Sequence, residues 1–297
     1  MPSPDCPDAG GALAARMAAS LALPVDPRVA AMARAIALTH GDATRAVLFY
    51  GSCLRTAALD GQMLDFYLIV SDYRAAYGKA WLAAANRMIP PNVFPFAHDG
   101  LAAKYAVLSE ADFHRLCGVE ADTVSVWARF AQPSRLVWQA DEAAARAVIS
   151  AVVRAPATLM ALSGAGDDRD PLDRWRRGFA LTYGAELRAE RSDRSGSIVD
   201  FDPDYYRGLT GPALAAAPAV PGDLARRWRG LRRRGKAMTL ARLAKASLTF
   251  AGGIDYLAWK INRHAGTAIS IRPWQRRWPI LGALTLLPRL LRSGSVR

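Results

Sequence analysis

Three residues near the start of the chain, Gly51, Ser52 and Asp65, have the types and spacing for phosphate chemistry. Gly51 and Ser52 follow the apolar run of residues 46–50, and Asp65 enters a second apolar run, Met63–Val70, after a short spacer. A glycine lets the backbone approach a phosphate closely, and a serine adds a hydroxyl donor. A carboxylate on a strand can hold the divalent metal that neutralises phosphate charge. The pattern therefore indicates a site for a metal-bound triphosphate, although a tight turn between buried strands beside an incidental acid would have the same sequence.

Three basic residues are candidates for binding the phosphates. Lys104 lies inside the apolar run of residues 101–108, where an ammonium without a partner would be costly, so a phosphate partner is one explanation and an exposed edge strand is the other. Arg129 and Arg188 carry guanidinium groups that can grip a phosphate with two hydrogen bonds. For Arg188 an ordinary ion pair on a helix surface is equally consistent with the sequence.

The elements that must position these residues are strands early in the chain and helices later. Apolar runs predict strands over residues 46–50, 63–70 and 101–108. Helical periodicity and capping residues predict helices over residues 24–40, 77–88, 141–162, 175–190 and 238–248. This order predicts an α/β (α+β) catalytic domain over residues 1–163, a mainly α-helical domain over residues 164–270 and a basic amphipathic segment over residues 271–297.

The charge of the chain is concentrated in its last quarter. The net charge is +13, yet the residues from Leu224 onwards contain 17 Lys plus Arg and a single acid, Asp255, which gives them +16 and leaves −3 for the rest. A strongly basic segment on a mildly acidic body predicts a polyanionic partner, either nucleic acid or anionic lipid. Cations alternate with Trp and Leu over residues 274–292, which favours a segment lying on a membrane surface. RNA binding instead uses aromatic side chains placed for stacking on bases, so nucleic acid is the less favoured partner.

Composition indicates the class of protein and the cellular compartment that suits it. An apolar fraction of 52% with 22% charged residues is typical of a globular protein. The three cysteines, Cys6, Cys53 and Cys117, are far apart, which argues against a disulfide framework and suits a reducing compartment. The N-terminal residues make a poor signal peptide, and no run reaches the roughly 18 apolar residues that span a bilayer. We therefore expect a cytoplasmic protein associated peripherally with the inner (cell) membrane.

Short blocks in a fixed order resemble a known family, the mitochondrial-type phosphatidate cytidylyltransferases. The blocks are Tyr50-Gly51-Ser52, Met63-Leu64-Asp65-Phe66 with Val70-Ser71-Asp72, Lys104-Tyr105-Ala106-Val107 with Ser109, Arg129-Phe130 with Pro133, Leu181-Thr182-Tyr183-Gly184 with Arg188 and Glu190, Arg194 with Ser197-Ile198-Val199, and Leu248-Thr249-Phe250-Ala251-Gly252 with Tyr256 and Lys260. Three positions depart from the family pattern: Ala106 and Ala128 replace glycines, and Glu186 replaces an aspartate. These departures indicate a divergent, bacterial branch.

The resemblance implies a fold, a reaction and a set of site residues. The fold would be that of the nucleotidyltransferases, with a mixed sheet, and the reaction would transfer CMP from CTP to phosphatidic acid and release pyrophosphate, with Mg²⁺ as cofactor. Asp65 and Lys104 would be catalytic, and the nucleotide would be held by residues that the motifs supply: Tyr50, Gly51, Ser52, Arg129 and Arg188.

The second metal ligand is the departure that matters most for this chemistry. Nucleotidyltransferases commonly place a second acid two residues after the first, on the same side of the strand, and here that position is Tyr67. Asp72 is the nearest acid that could replace it, so we predict Asp65 and Asp72 as metal ligands; otherwise the metal takes more of its ligands from phosphate oxygens. Two other functions remain open: nucleotidyl transfer to RNA or to a small molecule, and a non-catalytic adaptor on the same fold.

Overall fold

The structure, a computed structural model, describes residues 9–166, 168–186, 194–220, 222–249 and 270–274 of the 297-residue chain. The strands are β1 (Thr44–Tyr50), β2 (Met63–Val70), β3 (Asn92–His98), β4 (Leu101–Ser109) and β5 (Ser134–Gln139). The helices are α1 (Ala9–Leu21), α2 (Pro27–Leu38), α3 (Ser52–Thr56), α4 (Tyr73–Tyr77), α5 (Ala80–Met88), α6 (Glu110–Cys117), α7 (Trp127–Phe130), α8 (Glu142–Ser163), α9 (Pro171–Tyr183), α10 (Arg194–Phe201), α11 (Pro203–Ala215) and α12 (Leu224–Thr249). Arg188 and nearly all of the predicted basic segment lie outside the described residues.

The five strands form one mixed sheet in the order β3-β4-β2-β1-β5. β2 and β4 are parallel, and the other neighbouring strands are antiparallel. The predictions of an α/β chain, of a mixed sheet and of its three inner strands are confirmed. β3 and β5, the two edge strands, were not predicted.

The register of the inner strands aligns three of the predicted site residues in one row. Tyr50 of β1 pairs with Asp65 of β2, and Asp65 pairs in turn with Lys104 of β4. Because side chains alternate between the faces of a strand, Asp65 and Tyr67 point to the same face of the sheet. The sheet therefore places the predicted acid and the predicted lysine side by side.

Each face of the sheet is covered by its own hydrophobic core. The smaller core packs α2 against Val47, Phe49 and Phe66. The larger core joins Tyr67 and Leu108 to α1, α6, α7, α8, α9 and α11. Asp65 and Lys104 share the face of the larger core, at the end of the sheet where β1 ends and β2 and β4 begin.

The larger core continues across the predicted domain boundary at residue 164. Trp228 of α12 donates its indole N–H to the carbonyl of Leu162 in α8 at 2.8 Å. Trp175 of α9 packs on Tyr206 of α11, and the Tyr205 hydroxyl lies 3.8 Å from the sulfur of Met17 in α1. Residues on both sides of the boundary are thus part of one packed unit, and Gly164 marks the turn between α8 and α9.

In the described part of the chain, one helix, α8, is long and apolar enough to cross a membrane. More than half of its most apolar stretch is buried inside the protein, at 56%. Its buried side includes Val148, Val152 and Leu159, which belong to the larger core. α8 has the burial of a central core helix.

Candidate functional site

An ion pair at the end of the sheet joins the two residues that were predicted to be catalytic. The Lys104 ammonium lies 3.0 Å from a carboxylate oxygen of Asp65, and their side chains are 34% and 18% exposed. Both groups can therefore reach solvent or a ligand on one side. Because Asp65 and Lys104 are paired on parallel strands, the sheet backbone sets the distance between the two residues.

Gly51 brings the turn after β1 against this ion pair. Its φ of 96° lies in a region that essentially only glycine adopts, and a Cβ at this position would lie 2.8 Å from the second carboxylate oxygen of Asp65. Ser52, which is exposed, opens α3 directly after this turn. The structure thus brings Gly51, Ser52, Asp65 and Lys104 together, as the sequence predicted.

We expect Gly51→Ala to lower the free energy of unfolding by about 1–3 kcal/mol, because it adds backbone strain and a contact with Asp65. Gly61→Ala is the matched control, since Gly61 also has a positive φ, of 69°, but has open space around its Cβ position. Urea unfolding measures both variants. An equal decrease in the free energy of unfolding in the two variants would show that the contact with Asp65 adds no cost beyond the positive φ.

A cavity of about 140 Å³ lies beside the ion pair, between the sheet, α7 and α12. Its lining is formed by aromatic, small and basic side chains: Tyr50, Phe66, Tyr67, Pro91, Val93, Lys104, Ala106, Ser125, Arg129 and Arg242. The three basic residues in this lining come from a strand and from two helices that are distant in sequence. A concave site lined by several cations suits an anionic ligand.

Arg129 of α7 is a half-buried guanidinium on the cavity wall. It donates to the carbonyl of Ser125, and among the described residues no carboxylate lies within ion-pair distance of it. Burial works to lower the pKa of Arg129, but nearby groups, among them the carboxylates of Glu186 and Asp65, raise it, so the guanidinium stays charged. The predicted binding residue Arg129 therefore faces the same cavity as Lys104.

Arg242 and Lys245 of α12 complete the site, and neither was predicted from the sequence. Arg242 donates to the carbonyl of Pro90 at 2.7 Å and to the hydroxyl of Ser125 at 3.0 Å. Lys245 donates to the carbonyl of Pro91 at 2.9 Å and also to that of Ile89. The two side chains hold α12 over the segment that precedes β3.

Glu186 supplies a buried negative charge at the far side of this cluster. Its carboxylate lies 3.9 Å from the Arg242 guanidinium, and its side chain is 6% exposed. Gly235 of α12 allows this arrangement, since a Cβ there would overlap the carbonyl oxygen of Ala185. The turn after α9 can therefore approach α12 closely enough to place Glu186 beside Arg242.

Lys245 should make stability depend on pH. Burial, with Arg242 nearby, lowers the pKa of Lys245 from 10.5 to about 7. Between these values the unfolded chain binds one more proton than the folded chain, so the free energy of unfolding rises with pH and is lowest below the folded pKa. The contribution is at most about 1.4 kcal/mol per pH unit.

We expect the stability of the natural chain to rise from about pH 7 to about pH 9 relative to Lys245→Met, as measured by urea unfolding at each pH. This window lies below the ordinary tyrosine pKa of about 10, so tyrosine ionisation does not interfere. Parallel curves for the two proteins across the window would contradict the assignment.

Tyr67 occupies the position two residues after Asp65, where a second metal-binding acid is expected. Its ring packs on Tyr50 and Phe130, with centroid distances of 5.2 Å and 5.1 Å. Burial raises the pKa of Tyr67, and burial with the nearby Asp65 carboxylate raises that of Tyr50, so both hydroxyls are neutral at physiological pH. The side chain two residues after Asp65 thus belongs to the core and lines the cavity with an aromatic ring.

The structure does not bring Asp72 together with Asp65. Asp72 follows the opposite end of β2, about 23 Å away at about 3.3 Å per residue, which is too far for one ion to contact both carboxylates. The Asp72 side chain accepts hydrogen bonds from the backbone N–H groups of Arg74 and Ala75, at 2.7 Å and 3.1 Å, and caps α4. Asp72 therefore has a local structural role.

The described residues fit a magnesium site only if it has few protein ligands. Among them no group of three or more His, Cys, Asp or Glu side chains could hold a metal ion. Asp65 is the one carboxylate of the predicted metal pair at this end of the sheet, and Mg²⁺ often takes one or two carboxylates and fills the rest of its octahedron with water and substrate phosphates. Asp65 can therefore hold Mg²⁺ when a phosphate ligand is present.

The assembled site has the properties of a phosphate-binding site: a glycine turn, a carboxylate, a lysine beside it and two arginines on a cavity wall. Such groups act by position and by charge, which is what phosphoryl chemistry requires. Comparison with known proteins finds no family model that matches the chain, and no curated protein matches it either.

Proposed function

We propose that the chain is a phosphatidate cytidylyltransferase with a nucleotidyltransferase fold, which transfers CMP from CTP to phosphatidic acid and releases pyrophosphate. The observation that carries this proposal is the Asp65–Lys104 pair at the end of the sheet, with Gly51 against Asp65, next to a cavity lined by Lys104, Arg129 and Arg242. Gly51, Asp65 and Lys104 supply a close backbone approach, a metal ligand and a cation. The two arginines supply the charge that a second phosphate group would need.

The reaction is an in-line displacement at the α-phosphorus of CTP. A phosphatidate oxygen forms the new bond to phosphorus, and the bond from phosphorus to the bridging oxygen of pyrophosphate breaks with its electron pair. Lys104 and Arg129 stabilise the negative charge that spreads over the phosphate oxygens, and Gly51 lets the backbone approach them. Positioning and charge neutralisation account for most catalysis of this type.

Bound Mg²⁺ would add further neutralisation of the triphosphate, with Asp65 as its protein ligand. Asp65 also holds the Lys104 ammonium at 3.0 Å, so the same carboxylate sets the direction of that cation. The side chain of Asp65 is only 18% exposed, which limits the water that can compete for it. Loss of this carboxylate would therefore disturb both the metal and the lysine.

The reaction does not need a histidine base, because phosphatidate is already an anion at neutral pH. Of the histidines that the structure describes, none lines the cavity. His40 lies across the sheet, where its ring nitrogen is 2.8 Å from the carbonyl of Ala76, and burial lowers its pKa. This arrangement is consistent with a structural role for His40.

The basic surface of α12 favours transfer at a membrane and also keeps the RNA alternative open. Arg226, Arg229, Arg233 and Lys236 share the exposed side of α12, opposite the buried Trp228. We propose that the anionic surface of the inner membrane is the partner of this side, and that the protein is cytoplasmic and binds there peripherally. An RNA acceptor would use the same cations for its backbone phosphates.

Sedimentation with liposomes containing anionic lipid, at a salt concentration that abolishes RNA binding, separates these two functions. We expect the natural chain to sediment, and we expect it to stay in the supernatant when the four cations are changed to glutamine. Failure to sediment with the liposomes at that salt, together with RNA binding at lower salt, would support an RNA acceptor.

A CTP-binding measurement distinguishes the enzyme from a non-catalytic adaptor. The adaptor is considered because Tyr67 stands where a second metal-binding acid would be expected. We expect CTP with Mg²⁺ to bind the full chain in calorimetry, and Asp65→Asn to weaken that binding. A chain that binds no CTP at millimolar concentration would support the adaptor.

A further inference from the structure

We infer that the cavity between the sheet and α12 is a phosphate subsite, in which Arg129 and Arg242 bind a phosphate group next to the Asp65–Lys104 pair. This inference rests on the proposed function, because it assigns the part of the two substrates that the cavity holds. Arg242 belongs to none of the sequence motifs described above; it lies 113 positions after Arg129 and reaches the cavity because α12 packs over the sheet.

The first argument is the hydrogen bonding of Arg129. Its guanidinium lines the cavity and donates to the carbonyl of Ser125, and the Tyr50 hydroxyl is close to it. The carboxylates of Glu186 and Asp65 are near, but no described carboxylate lies within ion-pair distance of Arg129. A guanidinium has five N–H donors, and an anion in the cavity would accept hydrogen bonds that these carboxylates do not reach.

The second argument is the way in which Arg242 is held. Its Nε and one terminal nitrogen donate to Pro90 and Ser125, and its other terminal nitrogen is 3.9 Å from Glu186, beyond hydrogen-bond distance. These contacts fix the plane of the guanidinium at the cavity wall before any ligand arrives. A fixed guanidinium loses little freedom when it binds a phosphate.

The third argument is the balance of charge around the cavity. Among the residues that the structure describes, the cations Lys104, Arg129 and Arg242 line it, and the acids in contact with them are Asp65 and Glu186. Lys245 donates to backbone carbonyls and does not line the cavity. The cluster therefore has an excess of positive charge facing the cavity.

The volume and the remaining lining fit a phosphate group attached to a larger molecule. A cavity of about 140 Å³ is several times the share of about 30 Å³ that one water takes in the liquid. Val93, Ala106 and Pro91 contribute apolar surface to the lining. The phosphate could belong to the phosphomonoester of the acceptor or to the terminal phosphates of the nucleotide, and the same two arginines would bind either.

The test measures the binding of small phosphates to the full chain by calorimetry, with glycerol 3-phosphate and pyrophosphate as probes. We expect at least one probe to bind, and we expect Arg129→Gln and Arg242→Gln each to weaken it about tenfold or more, as for a lost charge-assisted hydrogen bond. Arg234→Gln is the matched control, because Arg234 is on the same helix but is 64% exposed, pairs with Asp122 and lies outside the cavity.

The two probes distinguish the two sources of phosphate. Binding of glycerol 3-phosphate in the presence of saturating CTP would assign the cavity to the acceptor. Displacement of CTP by pyrophosphate, with the same dependence on Arg129, would assign it to the nucleotide. Both outcomes support a phosphate subsite.

Two results would overturn the inference: no binding of either probe at millimolar concentration, or binding that both arginine variants leave unchanged. Arg242 also holds backbone groups, so thermal unfolding of each variant accompanies the titrations, and Arg129→Gln alone suffices if Arg242→Gln does not fold. Probe binding does not require turnover. A chain that binds phosphate through the arginines but transfers no CMP would therefore refute the proposed function and leave the subsite standing.

Discussion

Replacement of Asp65 with asparagine should reduce CMP transfer by about three orders of magnitude while the protein stays folded. Asparagine keeps the size of the side chain but removes the negative charge that would hold Mg²⁺ and that now holds Lys104 at 3.0 Å. The pair is partly exposed, so its loss should change the free energy of unfolding by about 1 kcal/mol or less. The measurement is the rate of CMP transfer at saturating CTP, together with urea unfolding.

Asp60→Asn is the matched control for this substitution. Asp60 is on the connection that leads into β2, its side chain is 83% exposed, and it pairs with Arg28 on the surface. We expect this variant to keep its activity. If Asp65→Asn also keeps near-normal activity, Asp65 does not hold a catalytic metal and the site must be assigned to other residues.

Replacement of Lys104 with glutamine should lower kcat/KM for CTP by about a hundredfold, because one preorganised cation is lost from the phosphate site. Glutamine can still donate a hydrogen bond, so the loss reports the charge. Lys79→Gln controls for the general effect of removing a lysine, since Lys79 is exposed at the start of α5.

A double variant tests whether Lys104 acts on the substrates or only neutralises the charge of Asp65. If Lys104 served only to neutralise Asp65, the Asp65→Asn/Lys104→Gln double variant would recover the activity lost in each single variant. We expect no recovery, because both groups act on the substrates. Recovery of activity in the double variant would assign the pair a purely structural role.

The central part of the fold follows from local sequence patterns, and the sheet edges do not. β1, β2 and β4 are buried apolar runs, so their sequences predict strands directly. β3 contains Pro95, which argues against a strand in the middle of a sheet, but β3 is an edge strand and can tolerate a proline. β5 follows Pro133 closely, and this proline made the segment resemble a turn although it forms the opposite edge.

The candidate site was predictable only where its residues are close in sequence or paired on strands. Gly51, Asp65 and Lys104 meet because of strand register, which the apolar runs indicate. Arg242 and Lys245 reach them through the packing of α12. The first part of this helix is rich in arginine and contains Gly230 and Gly235, so its sequence does not have the pattern of a typical core helix. The recurrence of Trp228, Leu231, Gly235, Arg242 and Lys245 on one side of a helix was the available signal for a buried face.

The prediction that Asp72 is a metal ligand was wrong because Asp72 is close to Asp65 in sequence but not in space. The two aspartates are separated by the length of β2, and Asp72 forms the N-cap of α4. A carboxylate directly before a helix is more readily explained as a cap than as a metal ligand. The sequence Ser71-Asp72 before a helical run carried that information.

The most direct test of the proposed function is a turnover assay with labelled CTP, Mg²⁺ and phosphatidic acid in detergent. The full chain is incubated with these substrates, and the organic phase is analysed for a lipid that carries the cytidine label. We expect a lipid-soluble cytidine product that forms together with an equal amount of pyrophosphate, depends on phosphatidic acid and is lost in Asp65→Asn. No labelled lipid from a folded natural chain that binds CTP would contradict the assignment of phosphatidic acid as the acceptor.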